Sequence, residues 1–160
     1  MLEAGEDPLY VGRRLIRFAS EDVGMADPRA LQLVISAFDA VHYIGMPEGS
    51  VNLAQAVVYL SLAPKSNALY RAYNMAKQDA IDTMAEGVPL HIRNAPTKLM
   101  NQLGYGKGYK YAHDYEDKIT DMECLPDNLR GRQYYLPTSQ GMEKNISERL
   151  DYIKSLRRKK

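Results

Sequence analysis

Cysteine, tryptophan and phenylalanine are nearly missing from this 160-residue chain: there is one Cys, two Phe and no Trp. A lone thiol, Cys124, forbids an internal disulfide and cannot build a cysteine-rich zinc site. It reads as a small buried hydrophobe. A reducing cytoplasm suits this usage, although an uncrosslinked chain is permitted in any compartment. Excess charge of one sign is absent too. Twenty-one Lys+Arg balance 20 Asp+Glu for a net charge of +1. That excludes a polybasic tail protein or a strongly acidic chain and leaves room only for local patches. Long apolar runs are also lacking. The longest charge-free stretch, Gly49 to Pro64, has 16 residues and contains Asn52 and Gln55. A membrane span wants about 20 apolar residues, so this stretch is expected to be a buried helix. The first eight residues carry neither a basic leader nor an apolar segment, and no export signal is expected there. What remains is ordinary: 45% hydrophobic, 26% charged and a mean hydropathy of −0.43. Such a chain suits one soluble domain long enough to bury a core.

The N-terminal two-thirds reads as consecutive helices. Asp7-Pro8 combines an N-cap with proline at the first helical position, and Gly24 is a plausible stop. Val11, Leu15, Ile16, Phe18 and Ala19 share one side of that helix, while Tyr10, Arg13, Arg14 and Arg17 fall on the other. Asp27-Pro28 repeats the start signal, and the second helix runs to Gly45 with only a narrow polar stripe. A helix apolar over so much of its circumference needs cover on more than one side. The third helix, near Val51 to Leu62, has no charge and is either the centre of the domain or part of a subunit contact. The fourth is expected from Ser66 to about Glu86, with Leu69, Tyr73, Ala76, Ala80 and Met84 along one face. A short helix capped by Asn94 follows and ends at Gly104.

Beyond it the pattern changes. Residues 104–137 hold six of the 12 tyrosines together with Gly104, Gly106, Gly108, Pro126, Gly131 and Pro137. Irregular segments of this length are usually functional or poorly ordered, and the aromatic content favours a packed loop with short strands around Gln133 to Leu136. A final amphipathic helix starts after Thr138 or Ser139, with Met142, Ile146, Leu150, Ile153 and Leu156 as its stripe. The basic run Arg157, Arg158, Lys159, Lys160 complements its macrodipole.

Chemistry-bearing motifs are sparse. Gly104-Tyr-Gly-Lys-Gly108 is no phosphate-binding loop, because Lys107 is followed by glycine and a helix precedes it. His113 with Asp114 sits beside further acidic residues, but His42 and His91 lie far off in sequence, so a hydrogen-bonded loop histidine is the expected reading. A hydrolase using His113 and Asp114 stays a remote alternative. Lys107 and Lys110 interleaved with Tyr105, Tyr109 and Tyr111 offer a phosphate grip with stacking rings. Arg13, Arg14 and Arg17 form a second cationic strip. Against both stands an ordinary account: Arg17 pairs with Glu21 at i,i+4 and the tyrosines pack internally.

Several uncommon strings carry a family resemblance. Arg14-Leu-Ile-Arg-Phe-Ala-Ser-Glu-Asp22-Val-Gly, Ala26-Asp-Pro-Arg-Ala30-Leu, Gly45-Met-Pro-Glu48, Ala63-Pro-Lys-Ser-Asn67, Val88-Pro-Leu-His-Ile-Arg-Asn-Ala-Pro96-Thr and Gly104-Tyr-Gly-Lys-Gly-Tyr109 are the main ones. Tyr111-Ala-His-Asp114 and Leu129-Arg-Gly-Arg-Gln-Tyr134 extend them. Together the strings resemble the C-terminal domain of bacterial MgsA/RarA-type AAA+ ATPases over essentially the whole chain.

The resemblance implies an all-α helical bundle similar to the oligomerisation collar of clamp loaders, with the Tyr/Gly-rich irregular segment before its last helix. Residues 1–160 would be a single C-terminal oligomerisation domain that assembles homotetramers, a fragment whose N-terminal ATPase module is missing. ATP and Mg belong to that module, and no cofactor, metal or catalytic residue is implied here. The parent would be a DNA-dependent ATPase of replication-fork maintenance and recombination in the bacterial cytoplasm, at the nucleoid. Single-strand DNA-binding protein and DNA are implied partners; a membrane is not. Contact residues are then sought in the family strings: Lys65, Ser66, Asn67, Arg93, Asn94, Lys98, Tyr105, Lys107, Tyr109, Lys110, Tyr111, His113 and Asp114. For Asn67 and Asn94 simple helix capping accounts for the residue equally well. The alternative function is a DNA-binding module using the Arg13/Arg14/Arg17 face and the Lys107/Lys110 loop.

Overall fold

The structure, a computed structural model, describes residues 1–84 and 86–158. The described residues include six α-helices, joined by short 3₁₀ and π turns: α1 Pro8–Phe18, α2 Arg29–Ile44, α3 Ser50–Leu62, α4 Ala68–Asp82, α5 Lys98–Gln102 and α6 Glu143–Arg158. No strand occurs among the described residues, in keeping with the all-α expectation. Two compact units are present: Met1–Met75 with Tyr134–Ser147, and Ala76–Gln133 with the residues from Glu148 onward.

In the first unit the helix starts follow from the sequence. The Asp7 carboxylate accepts from the Leu9 and Tyr10 amides at 3.0 and 3.1 Å, satisfying donors that the first turn leaves open. The Asp27 carboxylate takes the Arg29 amide in the same way at 3.2 Å. After α1 the chain continues through a wider π-helical turn, Ala19–Val23, and a 3₁₀ turn, Gly24–Ala26, before α2 begins. α2 packs against both α1 and α3, as its broad apolar circumference requires. At the crossing with α1, Gly12 meets the Phe38 ring so closely that a Cβ would run into it. Ala19, Val23, Ala30, Val34, Ala37, Ala56 and Leu60 form the core between these helices.

The later elements differ from expectation in instructive ways. α4 starts at Ala68 and ends at Asp82, where the Thr83 hydroxyl donates to the Asp79 carbonyl at 2.7 Å and closes the last turn. Its buried residues are Ala68 and Ala72, while Leu69, Tyr73, Ala80 and Met84 are exposed and Ala76 is half-buried. The predicted stripe is therefore, Ala76 apart, the exposed side of the helix. α5 is capped by Thr97, whose hydroxyl accepts from the Met100 amide at 3.2 Å; Asn94 is not its cap. Residues 133–136 form no strand. α6 begins only at Glu143 because the chain first threads Gly141, at φ +49°, past the backbone of Ala26. A Cβ there would collide with the Ala26 carbonyl and with Pro64. The Met142 amide then donates to that carbonyl at 2.8 Å. Cys124 is exposed, not buried, since it lies on an irregular segment that contributes nothing to the core. Lys159, Lys160 and the Arg158 side chain of the basic run lie outside the described residues.

Candidate interaction surfaces

The first unit turns Lys65, Ser66 and Asn67 to structural use. The Lys65 ammonium donates to the Leu60 and Ala63 carbonyls at 2.7 and 2.5 Å. A cation on the open carbonyls at the C-terminal end of α3 is favoured by the macrodipole. The Ser66 hydroxyl accepts from the Ala68 amide at 3.2 Å and so caps α4; Asn67 contributes only its carbonyl, to the Arg71 amide at 3.0 Å.

Ser66 also reaches a deeply buried charge. Glu143 is fully buried, and among the described residues no cation contributes to its electrostatics. Its carboxylate accepts from the Ser66 hydroxyl at 2.7 Å, the Tyr135 hydroxyl at 2.7 Å, and the Thr138 amide and hydroxyl at 2.7 and 2.6 Å. Burial pushes this carboxyl up, but the donors from Thr138, Ser66 and Tyr135 together outweigh it and hold the pKa below the ordinary value. Burial, and then the bond to Glu143, pushes the Tyr135 phenol up. The sequence reading missed Glu143. No capping-box spacing marks it, because the hydroxyl donors lie five, eight and 77 residues away.

The cationic strip on α1 is largely answered by acids. Arg17 donates to Glu21 at 2.8 Å, as the i,i+4 spacing anticipates, and Arg13 lies 3.4 Å from Asp7. Arg14 and Arg17 line an open depression of about 470 Å³ that they share with Glu21 and Asp22. Carboxylates on its rim weaken its attraction for a phosphate.

α3 has two apolar faces. One holds Leu53, Ala56 and Leu60 against the core; the other leaves Val51, Val58 and Leu62 at 71, 60 and 82% exposure. Tyr43 and Ile44, at the end of α2, are exposed as well. Exposed apolar residues scattered singly need no explanation, but a contiguous row marks an interaction surface.

The second unit gathers most of the remaining predicted contacts. The Arg93 guanidinium donates to the Val88 carbonyl at 2.5 Å and to the Tyr105 hydroxyl at 3.3 Å, and it stacks 5.2 Å from the Tyr105 ring centre. The Gly106 amide donates to the Leu90 carbonyl at 2.9 Å, so the glycine loop folds onto residues 88–93. Asn94 and Lys98 are exposed. Lys107, Tyr109 and Tyr111 are exposed in a loop whose Gly104, Gly106 and Gly108 all adopt positive φ. Lys110 donates to Asp121 at 2.6 Å, and that bond raises its pKa. His113 sits 5.0 Å from the Tyr111 ring and its carbonyl takes the Lys118 ammonium; both His113 and Asp114 are exposed. Among the described residues no three His, Cys, Asp or Glu side chains gather as a metal site, and no helix is long and apolar enough to cross a membrane.

These features combine capped helices, an irregular polar unit and an exposed uncharged helix face. The family model for the MgsA AAA+ ATPase C terminal matches residues 1–154. The chain belongs to this family. Among relatives of the MgsA C-terminal family, the replication-associated recombination protein A of Coxiella burnetii is 50% identical over 157 residues, covering 98% of this chain and 36% of the relative. That of Haemophilus influenzae is 52% identical over 155 residues, covering 96% and 35%. The Bacillus subtilis protein of the same name is 36% identical over 159 residues, covering 99% and 37%. The chain thus spans about a third of the length of the curated relatives it matches.

Proposed function

We propose that this chain is the non-catalytic assembly module of an AAA+ ATPase acting in replication-associated recombination. In this reading it is the C-terminal part of a longer bacterial protein and holds ATPase subunits together as a homotetramer, in the manner of a clamp-loader collar. ATP and Mg are bound by the ATPase module, outside these residues. DNA and single-strand DNA-binding protein are partners of the whole particle. Joining weak DNA contacts in one assembly raises avidity through effective concentration, with no strong site needed in each subunit. The observation that carries this reading is the uncharged outward face of α3 in a chain of this family. Light scattering coupled to size exclusion, over a concentration series, is the test. A mass near four times 18.1 kDa is expected; a mass that stays near 18.1 kDa at every concentration overturns it.

A second reading, direct DNA binding, draws on Lys107, Tyr109 and Tyr111 standing exposed together on one loop. It expects affinity that falls steeply with salt. Replacing Lys107 and Lys110 together by alanine should weaken binding to single-stranded DNA; an unchanged isotherm removes this reading.

A further inference from the structure

We propose that the outward face of α3 is the surface on which a second copy of this chain docks, helix against helix across a two-fold axis. This rests on the assembly reading above and assigns it a surface.

Four observations point there. First, the spacing is that of a helix seam. Val51 and Val58 are seven residues apart, Ala54 and Ser61 likewise, and Leu62 extends the row; all five are exposed. Residues three, four and seven apart form one stripe, and the small Ala54 and Ser61 allow two backbones to approach. Second, the stripe asks little of water. The Ser61 hydroxyl already donates to the Val57 carbonyl at 2.7 Å, and the exposed Gln55, four residues after Val51, is an uncharged amide that a second copy can meet with its own amide.

Third, the face suits its own copy. A two-fold contact sets the same patch against itself, and a patch with charge would then oppose like charge. No charge lies between Gly49 and Pro64. A further exposed apolar row, Leu69 and Tyr73 on α4, runs directly into Lys77 four residues on. Self-pairing there would bring cations together. Fourth, a notch of about 160 Å³ between α2 and α3, lined by Leu33, Ser36, Ala37, Asn52 and Gln55, lies beside the stripe. It is of a size for one branched aliphatic side chain, and Leu62 is the most exposed one on α3.

Size sets the extent of the contact. Thirteen residues make a helix only about 20 Å long, short of the roughly 800 Å² per partner that a stable interface buries. The contact therefore spreads from α3 onto Tyr43 and Ile44 at the end of α2.

Light scattering on the 160-residue chain and on two single variants, Val58→Glu and Tyr73→Glu, tests the surface. Val58→Glu should raise the dissociation constant of the assembly at least tenfold with the helical circular dichroism unchanged, and Tyr73→Glu should leave it alone. If Val58→Glu loses helical signal, Val51→Lys carries the same test. An unmodified chain that assembles, with a Val58→Glu variant of equal mass, overturns the surface and leaves the assembly reading standing. Loss of assembly from Tyr73→Glu alone overturns it in favour of α4. An unmodified chain that stays monomeric removes both.

Discussion

In the first unit the interior is apolar: Val23, Val34, Ala56 and Leu60 lie almost out of reach of water among three helices. Across Ala76–Gln133 and from Glu148 onward no described residue is buried. That second unit is tied instead by polar contacts with named partners. Arg132 makes a two-pronged pair with Asp79 at 2.7 and 3.1 Å, and His91 Nε2 lies 2.6 Å from the Glu123 carbonyl. Arg157 donates to the Thr120 and Met122 carbonyls at 3.1 and 2.7 Å. The two units show that one chain can use two sources of order. Apolar burial has no charge for salt to screen and no proton to titrate, and it gives high local stability. Exposed hydrogen bonds and ion pairs contribute little each and leave a segment near the low end of the opening spectrum.

The contrast can be broken most severely at Glu143, the polar exception within the apolar unit. Glu143→Ala leaves two hydroxyls, a phenol and an amide without their acceptor and should cost about 4 kcal/mol in urea unfolding of the whole chain. Leu60→Ala, which opens a cavity in the core, should cost about 3 kcal/mol by the same measurement. Acid sharpens the contrast further. Glu143 and Asp27 both have pKa values below their ordinary 4.5 and 3.8, Asp27 chiefly through its bond to Arg29. Their stabilisation is therefore complete above those values and is lost as pH falls through the lower values of the folded state. Glu143→Gln should flatten the dependence of stability on pH below 4.5. In the second unit, Arg132→Ala should cost only about 1 kcal/mol. Hydrogen exchange should show it as faster amide exchange confined to Ala76–Gln133 and α6, with the core amides of α2 unchanged. Smallest of all, Lys110→Ala should alter exchange only near Asp121, and added salt should reproduce it.

How legible each unit was in the sequence follows the same division. α1, α2 and α3 were placed within a few residues because Asp7-Pro8, Asp27-Pro28, Gly45 and Pro64 act through local backbone chemistry. The family strings, likewise local, located the chain among its relatives. In α4 periodicity picks out the stripe of larger side chains, whereas the buried positions are the alanines Ala68 and Ala72, which carry too little apolar weight to mark a face. Glu143 was invisible for a related reason: its partners are distant in sequence, and a buried carboxylate satisfied by hydroxyls leaves no charge pattern. In the Tyr/Gly segment the individual contacts depend on loop geometry. Lys107, Tyr109 and Tyr111 stand exposed as a DNA contact needs, whereas Tyr105 and Lys110 have protein partners.

The Glu143 cluster also bears on how the chain comes off the ribosome. Ser66 is separated from Glu143 by 77 residues, and at about 5–20 residues per second the carboxylate is synthesised roughly 4 to 15 seconds after the serine. During that interval α1, α2 and α3 have all their core partners, yet the Ser66 hydroxyl, which already caps α4 through the Ala68 amide, awaits an acceptor that has not been made. A nascent chain arrested before residue 143 would hold a folded three-helix core with one unlatched seam, which closes only when α6 arrives.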